Sequence, residues 1–317
     1  MNRILLLGAG FSCNWGGWLA SQVNEHLPAT LHVKRDPHLQ KVLRRTESKG
    51  GFEAALAEVQ NNYILNGTLE RLKHLNNLQA AIAEMFADMD AGFAHRQSLD
   101  FSSDLNFKVA RFLGRFDAIF TLNQDLLLER HYHDSDLALS SPRKWGGWRS
   151  PGIRVLVDDN QGAPRDVSKV RYSPDHSQFV SPIGYQPYFK LHGSWNWWSV
   201  TGEQMIVLGG DKRSNIQRHP LLNWYQGQFE NYLMKPDTGL MVIGYGFGDH
   251  HINEMILHSS KKRNGMSMFI VHPRGRKILP PILEEISDGG TSTRPLSSTF
   301  AGDEAERRKL MRFFENI

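Results

Sequence analysis

Five short apolar runs stand out along the chain, and each gives way at once to glycine or polar residues. Ile4-Leu5-Leu6-Leu7 leads into Gly8-Ala9-Gly10, and Ala118-Ile119-Phe120-Thr121 leads into Leu122-Asn123-Gln124-Asp125. Tyr188-Phe189-Lys190-Leu191 delivers His192-Gly193, Leu240-Met241-Val242-Ile243 delivers Gly244-Tyr245-Gly246, and Met268-Phe269-Ile270-Val271 delivers His272-Pro273. Runs without polar alternation predict strands covered on both faces, as in a parallel sheet. Between Phe52 and Phe93 the period changes: Leu69, Leu72, Leu75, Leu78, Ile82, Met85, Phe86 and Met89 recur at spacings of three and four, which predicts helices. Asn66-Gly67-Thr68 interrupts them, with Thr68 placed to cap the second helix. A further helix is expected from Leu126-Leu127-Leu128-Glu129.

The remaining stretches carry weaker patterns. Residues 137–188 are rich in Pro, Gly, Ser and Asp, with only Val155-Leu156-Val157 clearly strand-like, and read as a loop-rich insertion that includes short strands. Asp288 to Thr299 is rich in Gly, Ser and Thr and is expected to be mobile, and a charged helix is expected from Asp303 to Glu315. The fold class that follows is α/β: a Rossmann-like parallel sheet flanked by helices, with a helical subdomain at 52–93 and an insertion at 137–188. A ligand edge is expected where the strands end. Residues 1–287 form the expected domain and 288–317 an appended segment.

Composition narrows the class. Among 317 residues, 37 Lys and Arg against 33 Asp and Glu give a net charge of +4, too modest for a dedicated nucleic-acid surface. The basic clusters Lys261-Lys262-Arg263 and Arg307-Arg308-Lys309 are scattered and read as solvated faces, so direct nucleic-acid binding is not expected. The single cysteine, Cys13, excludes an intrachain disulfide and a four-cysteine zinc ribbon. The apolar run before Gly8 is too short for a signal peptide, and no run approaches the ~20 residues of a membrane span. A cytoplasmic, soluble protein is the expectation.

The strand ends carry the candidate chemistry. Gly8-Ala9-Gly10-Phe11-Ser12 follows a strand and reads either as a plain strand–turn–helix or as a glycine turn that lets backbone approach a pyrophosphate near a helix N-terminus. The third glycine of the dehydrogenase fingerprint is missing, because Cys13 stands there. Thr121-Leu122-Asn123-Gln124-Asp125 groups polar side chains that either cap the next helix or face a ligand. His192 beside Gly193 is either a satisfied edge residue or a general base with a pKa of ~6.5. Gly244 to Gly248 make a second glycine turn, with Asp249 as an N-cap. His250 and His251 are adjacent and do not share one helix face, and His131, His133 and Asp134 read as a solvated helix end, so no metal site is expected. Trp15-Gly16-Gly17-Trp18 recurs as Trp145-Gly146-Gly147-Trp148, which reads first as chance or core aromatics and, for the copy that follows the glycine loop, alternatively as rings covering a bound base.

Taken in order, these elements resemble the sirtuin-like NAD-binding family, and most closely its bacterial anti-phage defence branch. Gly8-Ala9-Gly10-Phe11-Ser12 resembles the family's GAG-x-S loop, Thr121 to Asp125 its T-x-N-x-D segment, and Leu191-His192-Gly193 its histidine-glycine element. Gly244 to Asp249 resembles the branch's GYSFGD turn, with Gly246 where serine is usual. Asn123 and His192 stand further apart than in the protein deacylases because residues 137–188 intervene.

The resemblance implies an NAD+ glycohydrolase, with NAD+ as substrate and no metal. Asn123 and His192 would act on the ribose and the attacking water, with Asp125 fixing local geometry. Gly8, Ala9, Gly10, Phe11 and Ser12 would hold the pyrophosphate and nicotinamide side, together with Gln124. Gly244, Tyr245, Gly246 and Asp249 would hold the adenosine ribose, and Val271 and His272 the adenine. Alternatives are a non-catalytic nucleotide-sensing module and, against the missing cysteines, a protein deacylase. Such an enzyme would drain its own host, which implies a homo-oligomer and a regulatory partner such as a translocase-type ATPase or an Argonaute-like protein.

Overall fold

A computed structural model describes residues 2–96, 108–137, 144–158, 166–261, 266–284, 292–294, 310 and 313–314. In chain order the strands are β1 (Asn2–Leu7), β2 (Ala118–Thr121), β3 (Trp148–Arg149), β4 (Ile153–Asp158), β5 (Val170–Pro174), β6 (Gln186–Lys190), β7 (Gly193–Trp198), β8 (Gln204–Ile206), β9 (Thr238–Ile243), β10 (Ser267–Val271) and β11 (Ser292–Arg294). Seven of them form one parallel sheet in the order β11-β10-β9-β1-β2-β6-β3. The other four form a smaller sheet, β4-β5-β7-β8. The fold is α/β, as the apolar runs predict.

Both faces of the main sheet are covered, which is why its strands tolerate no polar alternation. Ile4 and Leu6 of β1 point into one core with Phe120, Phe189, Leu240, Val242 and Ile270. Leu5 and Leu7 point into the opposite core with Ile119, Tyr188, Met241, Ile243 and Phe269. Each such fully buried Leu or Ile contributes about 1.5–3 kcal/mol. Because β1 is central, with β9 on one side and β2 on the other, the chain turns from one half of the sheet to the other beside it. The ends of β1, β2, β6, β9 and β10 therefore open on one crevice.

Thirteen α-helices are assigned among the described residues: α1 (Ala9–Cys13), α2 (Ala20–His26), α3 (Leu31–Lys34), α4 (Pro37–Thr46), α5 (Gly51–Leu65), α6 (Leu69–Ala94), α7 (Val109–Leu113), α8 (Leu127–His131), α9 (Asp134–Leu137), α10 (Lys212–Gln217), α11 (Pro220–Leu233), α12 (His250–Ser260) and α13 (Pro281–Glu284). The expected helical layer is α5 and α6, and Thr68 caps α6 by accepting from the Arg71 N–H at 3.3 Å. Its periodicity starts later than the leucines suggest: Leu69 is 85% exposed, whereas Leu75, Leu78, Ile82 and Met85 are buried. The layer is also larger than predicted, since α2, α3 and α4 pack Val23, Val33, Leu39 and Val42 into the same core.

The insertion at 137–188 contains β3, β4 and β5, the short strands expected among its loops. One other expectation needs correction. The segment read as mobile from Asp288 contributes β11, whose residues 292–294 pair in parallel with Phe269, Ile270 and Val271. Of the charged helix expected from Asp303, only Leu310, Phe313 and Phe314 lie within the described residues, and the Arg307-Arg308-Lys309 cluster lies outside them.

Candidate functional site

A cavity of about 1050 Å³ opens at the shared ends of the strands. That is the upper end of the ~300–1,000 Å³ typical of small-molecule sites. Its polar wall carries Gly8, Ala9, Gly10, Asn123, Gln124, Asp125, His192, Gly244, Tyr245, Gly246, Asp249, Val271 and His272. Sequence elements separated by more than 260 positions thus meet at one edge of the sheet. Two of the expected residues are elsewhere. Phe11 is 1% exposed and its ring tilts against Trp15 at 5.0 Å in the core below, and Ser12 is also buried. The Phe11 side chain therefore cannot wall a ligand, and of the early tryptophans Trp18 lines the cavity while Trp15 packs in the core.

The glycine turns do something other than expected. The Gly8 N–H donates to the Ile243 carbonyl at 3.0 Å, the Gly10 N–H to Gly244 O at 2.9 Å, and the Phe11 N–H to Gly8 O at 2.9 Å. These three amides are spent inside the protein and do not offer a pyrophosphate cradle. Glycine is required for contact between turns: a Cβ at Gly8 would stand 2.6 Å from Gly244 O, and one at Gly10 2.8 Å from Gly244 Cα.

Asn123 sits above Ser12. Its Nδ2 donates to Gly8 O at 3.1 Å and to Ser12 Oγ at 3.0 Å, while its own N–H donates to Thr121 Oγ1 at 3.1 Å. Ser12 also hydrogen-bonds Asp125. Ser12 is thus a strut between the two polar residues, and the Asn123 side-chain oxygen is the atom left to meet a ligand. Asp125 accepts from the Leu127 N–H at 3.1 Å but stands one residue ahead of the α8 N-cap, which is Leu126 and has no side-chain cap.

Beneath Asp125 lies a buried cluster that the sequence reading did not single out. Lys190 is 0% exposed, with Nζ 2.7 Å from Glu129 Oε1 and bonded to the Asp125 carbonyl. Burial pushes the carboxyls of both Asp125 and Glu129 up, against the opposing pull of the Lys190 cation. The available signal was a lysine inside an otherwise apolar strand.

His192 occupies the link between β6 and β7, and Gly193 follows it at φ +75, where a Cβ would strike Met205 O at 2.0 Å. The imidazole is 2% exposed rather than a loose strand tip. Burial drives its pKa down to about 3, with Lys212 and His251 adding to the effect and Asp249 opposing it. It is a neutral ring at physiological pH, not a half-protonated one. Its Nε2 lies 3.3 Å from His251 Nε2.

Asp249 begins α12 but makes no side-chain cap; its Oδ1 instead meets Lys212 Nζ at 2.7 Å. Lys212 also reaches Glu53 at 2.8 Å, so one cation ties α5, α10 and α12 together across the mouth. Burial disfavours the Lys212 charge, and Asp249 and Glu53 outweigh it. This run, Leu208-Gly209-Gly210-Asp211-Lys212-Arg213, lines the cavity and was missed, although paired glycines before a capping aspartate marked a turn into a helix. The apolar wall was missed too: Val23, Phe52, Met85, Phe86 and Met89 come from the helical layer.

His131 Nε2 bonds Phe93 O at 2.9 Å, and Asp134 bonds Arg149 at 2.7 Å, so that helix end does not gather ligands. The second tryptophan pair is structural, Trp145 Nε1 donating to Phe116 O at 3.2 Å and Trp148 stacking with Tyr132. No described helix is long and apolar enough to cross a membrane.

A profile of the SIR2-like domain matches residues 117–287. A solved structure described as "Structural Basis for the Mechanism and Regulation of Sir2 Enzymes" is similar over 99% of this chain and 92% of its own, at 16% identity and a TM-score of 0.41. No curated protein matches the chain significantly.

Proposed function

The chain belongs to the SIR2-like domain family, and on that premise we propose that it binds NAD+ in the cavity and hydrolyses the nicotinamide–ribose bond. The observation that carries this reading is the convergence of Asn123 and His192 on a cavity with one polar and one apolar wall. Breaking that bond leaves an oxocarbenium-like ribose and sends the bonding electron pair to the pyridinium nitrogen, so the leaving group departs neutral and needs no acid. A water then forms the new C–O bond, and its proton must go to a base. His192, neutral and buried, supplies the lone pair. The Asn123 oxygen, fixed by Ser12 and Gly8, orients a ribose hydroxyl or that water. Met85, Phe86 and Phe52 supply a dry surface for the nicotinamide.

The deacylase reading is disfavoured because one cysteine cannot build the zinc ribbon that the peptide-binding members use. An unrestrained NAD+ hydrolase would empty its own host, which supports a gated effector in anti-phage defence, acting as a homo-oligomer or with a translocase-type or Argonaute-like partner. Incubating the purified protein with NAD+ and measuring nicotinamide and ADP-ribose tests the reaction. No release of nicotinamide, with or without the product of the neighbouring gene, would leave the sensing module as the better account.

A further inference from the structure

Three side chains from two places in the sequence, the β6–β7 link and the start of α12, converge on one side of the cavity. His192 Nε2 and His251 Nε2 face each other at 3.3 Å, with the ring planes tilted by 41°. Both residues are buried, at 2% and 9% exposure. A carboxylate oxygen of Asp249 joins them, the three atoms lying within 4.8 Å of one another. Two imidazole lone pairs at this distance repel unless something electropositive lies between them, either a proton carried by one ring or a cation.

The spacing suits a cation. A zinc-class ion ~2.0–2.1 Å from each of two nitrogens at a tetrahedral angle holds those nitrogens ~3.3–3.4 Å apart. Two imidazoles and one carboxylate are a donor set for borderline transition ions, not for magnesium or calcium, which take oxygen. The charges nearby permit it. Lys212 binds one Asp249 oxygen but is itself matched by Glu53, and Arg213 is matched by Glu254 at 2.5 Å. Asp249 is left as the excess negative charge, with a second oxygen to offer.

We infer that His192, His251 and Asp249 form a site for one divalent transition-metal ion of the zinc class. Three protein ligands leave a fourth position open toward the cavity. The adjacency of His250 and His251 concealed the site from sequence reading, because the partner of His251 comes from the β6–β7 link and not from its own helix. On the NAD+-cleavage reading, a bound ion takes the lone pair that His192 needs as a base. Metal occupancy and turnover then exclude each other, and the ion is an inhibitor. That consequence rests on the proposed function, whereas the binding does not.

The test is direct metal binding to the full chain, stripped with a chelator and titrated with Zn2+ against a chromophoric competitor, then with Co2+ followed by visible absorption. One equivalent per chain is expected, with the intense visible bands of four-coordinate cobalt. His251→Ala and Asp249→Asn should each weaken zinc by ~100-fold or more, given that losing even an outer-shell partner costs ~10–100-fold. The pair His131→Ala and His133→Ala should bind as the parent does. Melting curves establish that each variant is folded, and the cobalt spectrum of the parent stands even if one is not. Failure of the parent to hold one equivalent, or unchanged affinity in folded His251→Ala, overturns the site. Nicotinamide release, assayed separately with and without zinc, reads the inhibition, so a protein that never cleaves NAD+ can still pass the metal test.

Discussion

Gly10 and Gly244 meet backbone to backbone, the Gly10 N–H donating to the Gly244 carbonyl at 2.9 Å. Gly244 has φ +65, and a Cβ there would stand 2.3 Å from the Phe11 nitrogen and 2.4 Å from the Gly10 carbonyl carbon. Neither neighbour is the end of a flexible side chain, so the clash cannot be relieved by a rotamer change. Gly244→Ala should therefore destabilise the fold by roughly 1–3 kcal/mol or more, a drop of several degrees in melting temperature. Gly10→Val should do the same, acting on the packing of the turns before it acts on any ligand. Gly246→Ala is the control, since a Cβ there meets nothing within 4 Å. Parent-like melting of Gly244→Ala would refute the close contact as the reason for glycine.

The second prediction concerns chemistry. Asn123→Ala and His192→Ala should lower nicotinamide release per folded molecule by ~10²-fold or more, about 2.7 kcal/mol of barrier. His192→Ala should also melt earlier than the parent, because the ring is buried and its removal leaves a void. Affinity for ADP-ribose should fall less than turnover in both. Turnover at the parent rate in His192→Ala would remove the histidine from the mechanism.

Ser12 provides a test of positioning. Its hydroxyl joins Asn123 to Asp125 and does not reach the cavity. Ser12→Ala should lower kcat while leaving KM near the parent value, since Asn123 keeps Gly8 O but loses its second anchor at 3.0 Å. A rise in KM alone would return Ser12 to the role of direct ligand.

The five strands of the crevice were legible because a strand covered on both faces leaves an unbroken apolar run, as in Ile4 to Leu7. The candidate residues at their ends were legible because a polar side chain after such a run has only the sheet edge to occupy, as with Asn123 and His192. The purpose of the glycines was not. A glycine that meets a phosphate and one that meets another turn read identically in sequence, and Gly10 meets Gly244. The helices α2 and α3 escaped because they are short and bury one residue each, Val23 and Val33, too few to set a period. Helix α4, by contrast, does carry one, with Leu39, Val42, Leu43 and Thr46 on a single face behind the N-cap Asp36 and Pro37. Lys212 and His251 escaped because their partners Glu53 and His192 are distant in sequence.

The buried cluster under Asp125 yields a double-substitution test. Lys190→Met leaves the Glu129 carboxylate without its 2.7 Å partner inside the core, which should cost about 3–5 kcal/mol. Glu129→Gln in the same chain should recover much of that loss, because no uncompensated charge then remains. Chemical denaturation of the two single variants and the double variant measures the coupling. Additive losses, without recovery, would mean that Lys190 serves the Asp125 carbonyl and not the ion pair.

The helical layer that forms the apolar wall carries its own acid sensitivity. Asp36 caps α4 with Oδ1, 3.2 Å from the Leu39 N–H, and its Oδ2 meets His74 Nδ1 at 2.7 Å and Asn77 Nδ2 at 3.0 Å. Burial works to raise this carboxyl, but the hydrogen bonds from His74, Asn77 and Leu39 outweigh it and hold the pKa below the usual carboxylate value. A folded-state pKa below the unfolded one of ~3.9 means that the unfolded chain takes up the proton first as pH falls. The stabilisation is therefore complete above that value and disappears as pH falls through the lower, folded pKa. Asp36→Asn retains a capping oxygen but not the charge, so it should lower stability at pH 7 and converge on the parent as pH falls below about 4. Urea unfolding of both proteins from pH 7 to pH 3 tests this. A stability gap that stays constant across the range would mean that the carboxylate charge contributes nothing, and that α4 depends on the cap oxygen alone.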